Sequence, residues 1–160
     1  HALLQTEIVS AEWDEAACAA GIAALRAGGP VVADVDMVAV ASRRAGTVSL
    51  LAEGRDRAGP ERTVAAAAMR VAAERWPSGA VVVVGNAPTA LREVVALAAA
   101  GRFAPALVIG LPVGFVGAAE AKAELRASGL PAISNVGERG GSAVAAAALN
   151  ALWRLSREDG

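Results

Sequence analysis

Across 160 residues the chain has one cysteine, one histidine and no tyrosine. A single thiol, Cys18, excludes an intramolecular disulfide and a thiolate metal cluster. Set among small apolar residues it reads as core filling, and no metal site is expected. Aromatic residues make up only 3% of the chain, and no basic tract accompanies them. The 15 basic and 16 acidic residues are interleaved, for a formal charge of -1. A nucleic-acid binder, which needs a basic face with stacking rings, is therefore not expected. No uncharged apolar run reaches the ~18 residues of a membrane span. The best stretch, residues 80–100, is interrupted by Asn86, Pro88, Arg92 and Glu93. No signal peptide is visible, which makes the cytoplasm the default compartment. The phosphate loop GxxxxGK[ST] is absent, and "GLPVGFVG" lacks the GxGxxG spacing of dinucleotide sites.

What the chain does have is one pattern, three times over. "AVVVVG" leads into a helical stretch at 88–100, "PALVIG" through "LPVGFVG" into one at 117–128, and "PAISN" through "VGERGG" into one at 142–156. Strand, glycine-rich turn and helix in succession predict parallel βαβ units. The near-continuous Val/Ile/Leu runs suit a sheet covered on both faces.

Upstream, Ser10 predicts an N-cap, with Glu12, Asp14 and Glu15 in the first helical turn. Trp13, Ala17, Ala20 and Ala24 follow at helical spacing, and Gly28–Gly29–Pro30 stops the helix. "PVVADVDMVAVA" predicts a strand, interrupted near Asp36, and "TVSLLAE" (47–53) a second, short one. A helix over about 61–75 ends before Pro77. The expected fold is one α/β domain over residues 1–160. It is three-layered and doubly wound, with a mainly parallel sheet of about five strands and helices on both faces.

In such sheets ligands bind beyond the carboxyl ends of the strands, where helix N-termini present unpaired N–H groups. The turns at 85–88, 110–117 and 137–142 fall along that edge and suit a ligand with several carboxylates or phosphates. Arg139, beside Gly140–Gly141–Ser142, adds a candidate charge-assisted contact. Glycines at such turns also serve tight turning and helix–sheet packing alone, and both readings stand for each turn.

"VVVVGNAPTAL", "PALVIGLPVGFVGAAEAK" and "GERGGSAVAAAALNAL" resemble the precorrin-8X methylmutases, including the cobalt-precorrin-8 branch of cobalamin biosynthesis. "PVVADVDMVA" and "ERTVAAAAMR" follow in the family's order, so the resemblance covers about residues 25–153. It implies an α/β homodimer binding a corrin precursor without an organic cofactor. The implied reaction is an intramolecular methyl shift from C-11 to C-12. It converts precorrin-8X to hydrogenobyrinate, or the cobalt form to cobyrinate. The acetate and propionate side chains of such a substrate are the polyanion that the three turns suit.

Carried over by position, the resemblance assigns substrate contacts to Gly85, Asn86, Ala87, Pro88 and Thr89 of "GNAPT". It also assigns them to Pro112, Val113, Gly114, Phe115, Val116 and Gly117 of "PVGFVG", and to Arg139, Gly140, Gly141 and Ser142. Asp34 and Met37 fall in the family's "D..MV" strand and are expected to face substrate. Val64 and Ala121 depart from the family pattern, which has a basic residue and often a serine there. The family's general acid is a histidine acting on a ring nitrogen of the substrate. His1 stands at nearly the right distance before Gly29–Pro30 and is the expected catalytic residue; the alternative is a residue left by a tag. With His1 in that role, the family's preceding segment of roughly forty residues would be absent. A non-catalytic corrinoid-binding relative is the competing expectation.

Overall fold

The valine and leucine runs become strands because both of their faces find apolar partners. A computed structural model of the chain describes the backbone of residues 11–13 and, with side chains, residues 15–158. In chain order its elements are β1 (Ala11–Trp13), α1 (Glu15–Arg26), β2 (Val31–Ala33), α2 (Asp36–Ala41), β3 (Val48–Ser49) and α3 (Leu51–Arg55). There follow α4 (Val64–Arg75), β4 (Val81–Val84), α5 (Pro88–Ala99), β5 (Leu107–Gly110), α6 (Ala118–Ala127), β6 (Ala132–Asn135) and α7 (Ser142–Glu158).

The sheet runs β1-β6-β5-β4-β2-β3. Its last five strands are parallel, and β1 lies antiparallel on the β6 edge. The parallel strands register residue for residue across the centre: Val31 opposite Val81, Val81 opposite Leu107, and Ile109 opposite Ile133. Alternate residues feed two cores. Val32, Val82, Val84 and Val108 pack with Met69, Leu91, Val94 and Leu125 under α4, α5 and α6. Val31, Val81, Val83, Ile109 and Ile133 pack with Ala17, Leu25, Val38, Leu149 and Leu152 under α1, α2 and α7. This is the three-layer, doubly wound fold expected, with five parallel strands and one antiparallel edge strand added. The winding direction reverses between β2 and β4, which sets a crevice at their carboxyl ends.

The third βα helix starts where the sequence puts it and runs two residues longer, and the bounds of the first two come within a residue. The N-terminal half differs in three places. Residues 11–13 are not helical: they pair with Ile133–Asn135, and the helix starts at Glu15, so Glu12 and Trp13 lie on a strand. Ser10, expected as the cap, lies outside the described residues. The strand beginning at Pro30 stops at Ala33, and Asp36–Ala41 is a short helix. Its valines resemble a strand, but Val38 alone points into the core while Met37 and Val40 are 70% and 85% exposed. The strand expected over 47–53 is only Val48–Ser49; Leu51–Arg55 turns into a helix against α4, closed by Gly54 N–H donating to the Leu50 carbonyl.

No described helix is long and apolar enough to cross a membrane.

Candidate functional site

Three turns leave the carboxyl ends of β4, β5 and β6, and the structure locks them together by backbone contact. Leu111 N–H donates to the Val84 carbonyl at 2.9 Å, holding the second turn to the first. The Leu111 carbonyl in turn accepts Gly141 N–H at 2.9 Å, and Gly114 N–H reaches the Glu138 carbonyl at 3.1 Å. Two glycines are required by this closeness. A Cβ on Gly85 would lie 2.7 Å from Ser142 Cα, and one on Gly140 would lie 2.2 Å from the Leu111 carbonyl oxygen. For these two positions the packing role is established by geometry.

The first turn is built around Asp34, which leaves the end of β2 at the topological switch. Its carboxylate has no exposed surface. Oδ1 accepts Gly85 N–H at 3.0 Å, while Oδ2 accepts Asn86 N–H at 2.9 Å and Ala87 N–H at 2.7 Å. Burial pushes the Asp34 carboxyl above its ordinary value, and the three N–H bonds pull the other way. Ala87, the N-cap of α5, has no side chain able to cap the helix, and Pro88 fills the first turn. Asp34 thus acts as a remote cap, a negative charge at the positive end of α5.

This corrects two expectations. Asp34 does not face outward to a ligand, and the N–H groups of residues 85–87 are already satisfied by an internal carboxylate. What the turn shows to solvent is the Asn86 side chain and Thr89, whose hydroxyl lies 2.8 Å from that of Thr63, the N-cap of α4. Gly85 is buried, and Ala87 and Pro88 are half-buried.

In the second turn Pro112 is buried, but Val113, Phe115 and Val116 are 45%, 89% and 90% exposed. Gly114 and Gly117 flank this apolar tip, and Gly117 starts α6 beside Pro88. In the third turn Arg139 projects into solvent, and its guanidinium makes no ion pair or hydrogen bond among the described residues. Gly141 has a φ of 130°, and Ser142, half-buried, opens α7. Met37 lies on α2, not on a strand, and is exposed. His1 lies outside the described residues. No group of metal-binding side chains occurs among the described residues.

Beneath the third turn lies a residue the sequence reading passed over. Lys122 on α6 has no exposed surface, and its Nζ donates to Asn135 Oδ1 at 2.9 Å and to the Arg139 carbonyl at 2.7 Å. Desolvation first, and then the charge of Arg126, push it down to about 8. The signal was present: Lys122 falls on the buried stripe Ala118, Ala121, Lys122, Leu125, where spacing alone demands an inward side chain.

The precorrin-8X methylmutase family model matches residues 2–155. A cobalt-precorrin-8 methylmutase of Priestia megaterium is 43% identical over 86% of the chain, which spans 65% of that relative, just under two thirds. A precorrin-8X methylmutase of Pseudomonas aeruginosa is 42% identical over 95% of the chain and 78% of its own length. The solved precorrin-8X methylmutase of Thermus thermophilus superposes with a TM-score of 0.82 at 37% identity, covering 95% of this chain and 79% of that one.

Proposed function

Since the chain belongs to the precorrin-8X methylmutase family, we propose that it binds a corrin precursor on the edge formed by the three interlocked turns and moves a methyl group from C-11 to C-12. The observation that carries this reading is a cation unpartnered among the described residues and an apolar tip on two bonded turns: Arg139 on one, Val113, Phe115 and Val116 on the other. A corrin has flat apolar faces and a rim of carboxylates. The Phe115 tip suits the ring face, while Arg139 and the Asn86 amide suit the rim.

In the proposed reaction the C-11–methyl bond breaks and a C-12–methyl bond forms within one molecule. Composition and oxidation level are conserved, so the chemistry asks of the protein a held substrate and a proton at the right nitrogen. His1 is the proposed donor, because an imidazole, with an ordinary pKa of ~6.5, suits proton transfer around neutrality. We also propose a homodimer in the cytoplasm: Met37 and Val40 on α2 form an apolar face that a second subunit would cover.

Relatives named for the metal-free and the cobalt substrate match at 42% and 43% identity, so overall similarity favours neither. Incubation with precorrin-8X and with cobalt-precorrin-8, followed by the absorption spectrum of the product, tests the function and separates the substrates. Binding of product without turnover of either substrate would leave a corrinoid-binding relative. Full turnover by His1→Ala would remove His1 as the acid. Arg139→Ala is expected to weaken hydrogenobyrinate binding about tenfold or more, the scale of one charge-assisted hydrogen bond.

A further inference from the structure

We propose that Lys122 is a positioning residue for Arg139: from inside the fold it fixes the turn that aims the guanidinium at substrate. The inference rests on the reading of Arg139 as a carboxylate contact.

The turn from Asn135 to Ser142 carries Gly137, Gly140 and Gly141, so its own backbone is loosely constrained. Its two points of contact with the second turn, at Glu138 and Gly141, leave the Arg139 carbonyl to be held from α6 below. Lys122 Nζ bonds both Asn135 Oδ1 and the Arg139 carbonyl. Asn135 Nδ2 donates to that same Arg139 carbonyl at 3.0 Å. Arg126, one helical turn on, donates Nη1 to the Asn135 carbonyl at 2.6 Å. The carbonyl of Arg139 is therefore held twice while its side chain is held nowhere among the described residues.

A methionine at position 122 would fill a similar volume with no charge to desolvate. Lys122 pairs with no carboxylate among the described residues, so its charge is balanced by carbonyl dipoles alone. Folding stability does not call for that arrangement, whereas a fixed Arg139 backbone does.

The test is a double-mutant cycle on the full chain, with hydrogenobyrinate affinity read by absorption titration at low and high salt. Lys122→Met is expected to weaken binding about five- to tenfold, and to leave binding unchanged when added to Arg139→Ala. The salt dependence of affinity should flatten equally in both single variants, because both lose the same ion pair. A merely structural lysine would weaken binding to the same degree in the Arg139→Ala background and would keep the wild-type salt slope; that result overturns the proposal. Should Lys122→Met fail to fold, Asn135→Asp retains a partner for the ammonium while removing the Nδ2 bond to Arg139. It is expected to show the same dependence on Arg139, and independence would refute the inference. Absence of hydrogenobyrinate binding by the wild-type protein would instead sink the functional reading itself. Unchanged binding by Arg139→Ala would remove Arg139 from the site, and the role of Lys122 with it.

Discussion

Asp34 and Lys122 are opposite charges with no exposed surface, and each is bonded to the backbone of a different turn. In Asp34→Asn, the amide NH2 would face either the Gly85 N–H or those of Asn86 and Ala87, donor against donor. We expect a loss of roughly 2–4 kcal/mol in unfolding free energy, read by urea denaturation. Lys122 carries a pH signature. Its proton leaves at about 8 in the folded chain, against 10.5 for the free side chain. Between those values the unfolded state binds more protons, so the contribution of this lysine to stability rises with pH. The difference in unfolding free energy between wild type and Lys122→Met should grow in favour of wild type above pH 8, by at most about 1.4 kcal/mol per pH unit. A flat difference would mean that the ammonium is not desolvated. The sequence made Lys122 findable through its stripe, but not the task of Asp34. Its partners lie 51 to 53 positions away, and only the fold brings β2 beside β4.

At the scale of elements, the βα units were legible because two signals agree there: β-branched runs too apolar for a surface, and glycine where the strand ends. Leu51–Arg55 and Asp36–Ala41 were not, because helices of five and six residues carry too few turns to show a period. Of the two readings open for the glycine-rich turns, anion binding and close packing, the structure supports packing at two positions. Gly85 and Gly140 are there so that backbones can touch. Gly85→Ala would force α7 away from β4, and we expect a loss of about 1–3 kcal/mol by thermal or chemical denaturation. Thr63→Ala removes the hydroxyl that accepts Ala66 N–H at 3.2 Å and should cost about 1 kcal/mol. Because that hydroxyl also meets Thr89, the change tests whether the α4 and α5 starts are coupled: the effects of Thr63→Ala and Thr89→Ala should then fall short of additive.

The whole molecule divides its labour between a stiff sheet with two cores and an apolar tip that touches neither. Phe115→Ser should change stability by less than ~0.5 kcal/mol, since the ring is 89% exposed, while weakening corrinoid binding or subunit association. Titration and sedimentation would distinguish those two losses, and an effect on neither would leave the tip without a role. The grip of Asp34 on the 85–87 amides also makes a statement about time. Those three amide hydrogens sit on a buried carboxylate at the centre of the sheet edge, so they should exchange with heavy water only when the whole domain opens. The amides around Phe115 and Val116, on an exposed tip, should exchange orders of magnitude sooner. A corrinoid seated on the edge would then slow the fast set and leave the slow set as it was, marking the clock hand that moves and the pivot that does not.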